Sequence, residues 1–141
     1  NQQDLQKSLN YCQGVIEKRS TLPILSNVLL DASNSILTIT ATDLDLIFIH
    51  KISNIEILEE GKTTTSASIM YDIVRKFSSG KKINFSNSSE NKLQLESEKS
   101  LFKLNCIKSK LLTFPKIILA RLWANEKLED NGIQKYKSLV K

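Results

Sequence analysis

His50 is the single histidine of the chain, and Cys12 and Cys106 are its two cysteines, so the residue types that most often hold metals or attack carbonyl carbons are few and scattered. A structural or catalytic zinc site needs several Cys, His or carboxylate ligands that converge, and neither a second His nor a CxxC pair stands near His50. Asp43 and Asp45 are two residues apart and could present paired carboxylates on one strand face. They read instead as turn residues, where an Asp side chain bonds the local backbone. No Ser-His-Asp set, phosphate-binding Gly loop or Cys nucleophile with its base can be assembled from the remaining residues. The expectation is a protein with no catalytic centre of its own, no metal and no cofactor.

Basic side chains are the other candidates. The chain carries 20 Lys+Arg against 15 Asp+Glu, a formal charge of +5. Before Lys108 the two classes balance at 12 and 12; from Lys108 to Lys141 they stand at 8 and 3, so the whole excess lies in the tail. Binding of nucleic acid by the body must therefore depend on where particular cations sit, and net charge says little about it. With 141 residues, 40% of them hydrophobic and 25% charged, the chain has the composition of one soluble globular domain able to fold without a metal or disulfide. No run approaches the roughly 18 apolar residues of a membrane span. Asn1-Gln2-Gln3-Asp4 has neither the basic start nor the apolar run of a secretory signal, and it lacks an initiator Met, so the natural start is expected upstream. The two cysteines read as free thiols of a reducing cytoplasm rather than as a disulfide.

The elements that would position these residues follow from periodicity. Asp4 to Lys18 reads as an amphipathic helix with Leu5, Leu9, Cys12 and Ile16 on one stripe, Gln6 and Lys7 off it, and Lys18 with Arg19 at its negative end. Thr21-Leu22-Pro23-Ile24-Leu25 reads as an extended connection. Strands are predicted over Asn27 to Ala32, Ile36 to Ala41 and Asp45 to Ile52, the first two joined by a tight turn at Ser33-Asn34-Ser35. In the third, Leu46, Phe48 and Ile52 alternate with Ile47, Ile49 and Lys51. A short β-like piece, Thr63 to Ser66, leads to a second helix capped by Ser66 or Ser68 and running through Phe77, with Ile69, Ile73 and Phe77 as its buried line, flanked by Met70 and Val74, and Gly80 as its stop. Lys82 to Ser86, Lys92 to Glu96 and Ser100 to Cys106 are further strand candidates, with a turn at Asn87-Ser88-Ser89-Glu90. A helix followed by three strands thus occurs twice, which predicts an α+β domain: two pseudo-repeated helix-plus-strands units, with both helices packed on one face of an antiparallel-rich sheet. After Lys108 the chain changes character; Leu111 to Trp123 is apolar-rich, and Trp123 to Leu139 is compatible with a helix interrupted at Gly132.

Several short motifs carry a resemblance. Lys18-Arg19-Ser20-Thr21-Leu22-Pro23-Ile24-Leu25-Ser26-Asn27-Val28-Leu29-Leu30, then Thr42-Asp43-Leu44, then Gly61, Thr63-Thr64, Ala67 and Asp72-Ile73-Val74-Arg75, then Phe102-Lys103-Leu104 and Phe114-Pro115, occur in this order. Together they resemble the first domain of the bacterial DNA sliding clamps, the beta subunits of DNA polymerase III, with order and spacing agreeing from residue 4 to residue 107. The resemblance implies a DNA-clamp domain at residues 1–107 and a divergent basic tail at residues 108–141. It also implies a ring that encircles duplex DNA without reading its sequence, built from three-domain subunits joined head to tail, with helices lining the hole. The function implied is processivity in DNA replication. Three features depart from the family. Its first strand, which precedes Asp4, is missing. The second and third domains, with the cleft that takes polymerase and clamp-loader peptides, are absent. The stretch after Ile107 is longer than the family's link and loses similarity beyond Pro115.

The same resemblance carries the site expectations. Arg19 and Arg75 match basic residues that the family directs at DNA, with Lys7 and Lys76 as neighbours; the bland alternative for each is a solvated helix face. Ser100 to Cys106 matches an edge strand that meets another subunit, with Phe102 at the contact and Lys99 and Leu104 beside it; the alternative for Phe102 is an ordinary core position. Expected partners are duplex DNA, other clamp domains or subunits, and the polymerase and clamp loader through the further domains, with no membrane. The competing expectations are a truncated or decayed clamp remnant that folds without closing a ring, and an unrelated small hydrolase or binding domain.

Overall fold

The computed structural model describes residues 1–19, 23–89 and 91–107. Expectations for residues 108–141, and for Thr21 and Leu22 in the connection, lie outside the described residues.

Helix α1 spans Gln2–Gln13. Asn1 caps it, its side-chain oxygen accepting from the Gln3 N–H at 3.0 Å and so satisfying one of the free donors of the first turn. Leu5, Leu9 and Cys12 are buried on one stripe, as their spacing predicts. The helix ends at Gln13 and not at Lys18. Val15 and Ile16 both donate their N–H to the Cys12 carbonyl, at 3.0 and 2.9 Å, in a turn after Gly14. That turn lets two consecutive apolar side chains reach the core, whereas on a straight helix they would diverge. Lys18 and Arg19 consequently sit in the turn beyond the helix. The expected extended connection is corrected as well: Pro23–Ser26 forms a 3-10 helix, for which the fixed φ of proline is suited, and the Leu25 carbonyl accepts from Glu17 N–H at 3.0 Å.

Strands β1 (Asn27–Ser33) and β2 (Ile36–Thr42) pair antiparallel with Ser33 opposite Ile36. Asn34 and Ser35 make the two-residue turn between them, both at positive φ (51° and 59°), the pattern that matches the twist of a hairpin. Strand β3 (Ile47–Ile52) begins later than expected. Asp43 Oδ1 accepts from the N–H groups of Asp45 and Leu46 at 2.9 and 2.6 Å, so Asp43 and Asp45 belong to a turn and Leu46 is exposed ahead of the strand. Strand β4 (Gly61–Ser66) runs into helix α2 (Ala67–Val74), where Ser66 rather than Ser68 is the cap, accepting from Ile69 N–H. Of the expected buried line Ile73 and Phe77 are buried, as are Met70 and Val74 beside it and Ala67 before it; the correction concerns Ile69, which is 56% exposed. The helix stops at Val74, and Phe77 reaches the core from the following turn, its N–H on the Val74 carbonyl. Gly80 lies later still, at φ 78°, and so does not end the helix.

Strands β5 (Asn84–Ser89), β6 (Lys92–Ser97) and β7 (Ser100–Ile107) complete the fold. Of the turn expected at Asn87-Ser88-Ser89-Glu90, the first three residues belong instead to β5, which opens at Asn84 and not Lys82 and has a bulge between Asn87 and Ser89; Glu90 lies outside the described residues. Among the described residues the strands form one antiparallel sheet in the order β3-β2-β1-β4-β7-β6-β5. The repeat is thus α1-β1-β2-β3 followed by β4-α2-β5-β6-β7. Alternation sends Val28, Leu30, Leu37, Ile39, Ala41, Ile52, Leu93, Leu95 and Leu104 to the face covered by the helices, where they join Leu5, Leu9, Cys12, Met70 and Val74 in one core. Full burial of such a side chain is worth about 1.5–3 kcal/mol. Leu29 points the other way and packs with Ile24 and Ile47 in a small separate cluster on the opposite face.

Candidate nucleic-acid interface

The two helices lie antiparallel, and a row of polar side chains ties them together. Gln2 Nε2 donates to the Val74 carbonyl at the end of α2 (2.9 Å) and to Gln6 Oε1 (2.8 Å). Gln2 is 2% exposed and is therefore a core residue despite its amide. Further along, the Tyr71 hydroxyl donates to Asn10 Oδ1 at 3.1 Å, and Ser68 Oγ donates to Gln13 Oε1 at 3.2 Å. Gln3 Nε2 donates to Ser79 Oγ at 2.7 Å. Each buried polar atom that is matched in this way avoids a desolvation cost of about 1–3 kcal/mol.

The cations are distributed along this pair. Lys7 is exposed on α1, and Arg75 and Lys76 are exposed at the end of α2. Arg19 is exposed in the turn beyond α1. Because the helices are antiparallel, Arg19 lies toward the start of α2 and Arg75 toward the start of α1, so the structure puts the two at opposite ends of the pair rather than side by side. A twelve-residue helix such as α1 is about 18 Å long, which sets the scale of that separation. The ion pairs within 4.0 Å are Lys62–Asp31 (3.2 Å) and Lys81–Glu98 (3.3 Å), so Lys7, Arg19, Arg75 and Lys76 have no carboxylate partner among the described residues. Lys81 is engaged elsewhere: a hydrogen bond from Ser78 Oγ and then the Lys81 ammonium hold the Glu98 carboxyl below its usual range. The Arg75 guanidinium sits over the Tyr71 ring, 5.3 Å from its centroid.

The expected subunit contact is changed by the strand order. β7 lies between β4 and β6 and is not the outermost strand; β3 and β5 are. Its ladder with β4 covers only Cys106 and Ile107, however, with Thr65 Oγ1 donating to the Asn105 carbonyl, so Ser100 to Leu104 pair with β6 alone among the described residues. Leu104 is 4% exposed and faces the core, because β7 alternates Phe102, Leu104 and Cys106 inward, and this takes it out of any direct contact. Phe102 is half-buried with its ring against Phe77 at 5.6 Å, edge to face. Lys99 is exposed at the tip of the β6–β7 hairpin, and Leu101 is an exposed apolar side chain of β7. His50 stacks on Phe48 on β3, with ring centroids 6.1 Å apart.

Sequence reasoning missed Gln2, Gln3, Asn10, Gln13 and Tyr71. For Tyr71 a signal existed: an aromatic residue four positions before an arginine on a helix places the two side chains in contact. For the amides there was none, since their partners lie on the other helix.

The comparisons with known proteins point one way. The family described as DNA polymerase III beta subunit, N-terminal domain, matches residues 1–116. The beta sliding clamp of Caulobacter vibrioides is 38% identical over 102 residues, 71% of this chain and 27% of that protein. That of Escherichia coli K12 is 32% identical over 111 residues, 79% of this chain and 28% of that protein. Among solved structures, the DnaN sliding clamp of Bartonella birtlesii, bound to griselimycin, superposes with a TM-score of 0.70 at 38% identity, covering 76% of this chain and 28% of that one. The DNA polymerase III beta subunit of Pseudomonas aeruginosa superposes with a TM-score of 0.72 at 30% identity, covering 77% and 29%. The chain thus spans between a quarter and a third of the length of these relatives. With a matching family model over most of its length and solved relatives that superpose at TM-scores of 0.70 and 0.72, the chain belongs to the family of the DNA polymerase III beta subunit, N-terminal domain.

Proposed function

We propose that this chain works as the N-terminal part of a sliding clamp, holding duplex DNA by its phosphates while a polymerase is kept on its template in the cytoplasm. The reading rests most directly on one observation: Lys7, Arg19, Arg75 and Lys76 are exposed along and at the ends of the helix pair, with no carboxylate partner among the described residues. Sliding demands attraction that does not depend on base identity, since a base-specific bond would have to break at every step. Long cationic side chains on a rigid helix pair meet that demand. The clamp domain is residues 1–107, and residues 108–141 are a basic tail.

Ring closure in this reading uses the open stretch of β7, Ser100 to Leu104, whose unpaired side would accept a strand of a neighbouring subunit or domain, flanked by Lys99 and with Phe102 behind it. Polymerase and clamp loader are engaged through further domains. The chain itself contributes tethering and no catalysis.

Binding of a short labelled duplex by the full chain, followed by anisotropy across a salt series, tests the DNA part. Each phosphate contact contributes about 0.9 to the slope of log K against log salt. Arg19→Ala and Arg75→Ala should each lower affinity and reduce the slope by about one contact. Unchanged affinity and slope in both variants would sink the assignment.

A further inference from the structure

We propose that Tyr71 is a positioning residue that holds Arg75 over the seam between the two helices, ready for a phosphate; this rests on the DNA reading given above. Three contacts converge on Tyr71. Its ring lies under the Arg75 guanidinium, 5.3 Å from centroid to Cζ. Its hydroxyl donates to Asn10 Oδ1 on the opposite helix at 3.1 Å. Its half-buried body packs against the core. The ring is therefore fixed from below by the core and from the side by α1, and it offers a flat, electron-rich surface to a cation that has no carboxylate partner among the described residues. An exposed arginine otherwise spreads over many rotamers, and a planar guanidinium stacked on a ring loses less freedom when its N–H groups close on a phosphate. The ring lies beneath the cation, whose guanidinium has no carboxylate partner among the described residues and so keeps its N–H groups available to a phosphate.

The same contacts would exist if Tyr71 only joined the helices, so the test must separate the two roles. Two arms do so with the full chain. In the first, the Arg75 Nε–Hε resonance is compared by NMR in wild type, Tyr71→Phe and Tyr71→Leu, without DNA. An upfield ring-current displacement is expected in wild type, kept with Phe and lost with Leu; no displacement, or one unchanged by Leu, overturns the proposal. In the second, duplex DNA affinity is measured for Tyr71→Leu both in the wild-type chain and in a chain already carrying Arg75→Ala. A loss of about two- to five-fold is expected in the wild-type chain, largely avoided by Tyr71→Phe, and none where Arg75→Ala is present. An equal loss in both backgrounds overturns the proposal in favour of a purely structural tyrosine. If Arg75→Ala leaves affinity and salt slope unchanged while the ring-current displacement is present, the DNA reading of Arg75 fails and the holding of Arg75 by Tyr71 stands.

Discussion

The two halves of the domain repeat one plan with different material. In the first, β1, β2 and β3 send Val28, Leu30, Leu37, Ile39, Ala41 and Ile52 into the core, and the ladder continues from β1 to β4 over the whole of β4. In the second, the inward set of β5, β6 and β7 is Leu93, Leu95 and Leu104 with partly buried Phe102 and Cys106, and β5 leaves Asn84, Phe85, Ser86 and Asn87 exposed. Among the described residues the ladder of β7 with β4 covers only Cys106 and Ile107. Apolar burial and sheet pairing are thus concentrated in the first half, whereas the arginine backed by an aromatic ring stands in the second. A repeat can share its scaffold and still differ in how much apolar burial and sheet pairing each copy supplies.

The largest expected difference between the halves lies in their cores. Ile39→Ala should cost about 2–5 kcal/mol, because the side chain is fully buried between β1 and β3 and its removal leaves a cavity. Phe85→Ala, on the edge strand and 37% exposed, should cost distinctly less. Urea unfolding of both variants checks this, and equal losses would abolish the asymmetry.

A second contrast concerns the thiols. Burial in α1 pushes the Cys12 thiol from 9.0 up to about 12. Cys106 in β7 is half-exposed. A thiol reagent at neutral pH should therefore label Cys106 in the native protein and leave Cys12 intact until the chain unfolds. Between 9.0 and about 12 the unfolded chain releases the Cys12 proton while the folded chain retains it. Its contribution is complete below 9.0, and stability falls as pH rises through that window. Cys12→Ala should flatten this part of the pH profile, and an unaltered profile would show that the burial does not govern it.

The smallest effect is at the hairpins. Ser35 sits at φ 59° in the β1–β2 turn, where a side chain is strained and glycine is not. Ser35→Gly should raise stability by about 0.5–1 kcal/mol, read as a higher urea midpoint. A lower midpoint would mean that the turn gains more from restricting the unfolded chain than it loses in strain.

Much of the architecture was legible beforehand because local patterns and tertiary burial agreed. Leu5, Leu9 and Cys12 at helical spacing, the β-rich runs of β1 and β2, and the tight turn at Ser33-Asn34-Ser35 needed no distant partner to be read. Helix ends were not legible. Val15 and Ile16 continue the apolar pattern of α1, yet they reach the core only by leaving the helix, and Phe77 does the same after α2. β5 was expected two residues early and three short, over Lys82 to Ser86, because its largely polar run, Asn84 to Ser89, has no clear apolar alternation to mark its ends; at an edge it needs none. Of the site, the identities Lys7, Arg19, Arg75 and Lys76 came from motif resemblance. Their division between opposite ends of the helix pair did not, and neither did the inward turn of Leu104.

From its sequence alone this protein is determined to be an α+β repeat whose first 107 residues balance in charge and whose remaining residues are basic, because periodicity, turn chemistry and charge are local properties of a chain. Tertiary structure alone decided that a buried glutamine joins the two helices, that β7 is half-paired, and that Tyr71 underlies Arg75 while bonded to Asn10. These depend on which distant backbone or side chain arrives opposite, and no spacing within one segment encodes that.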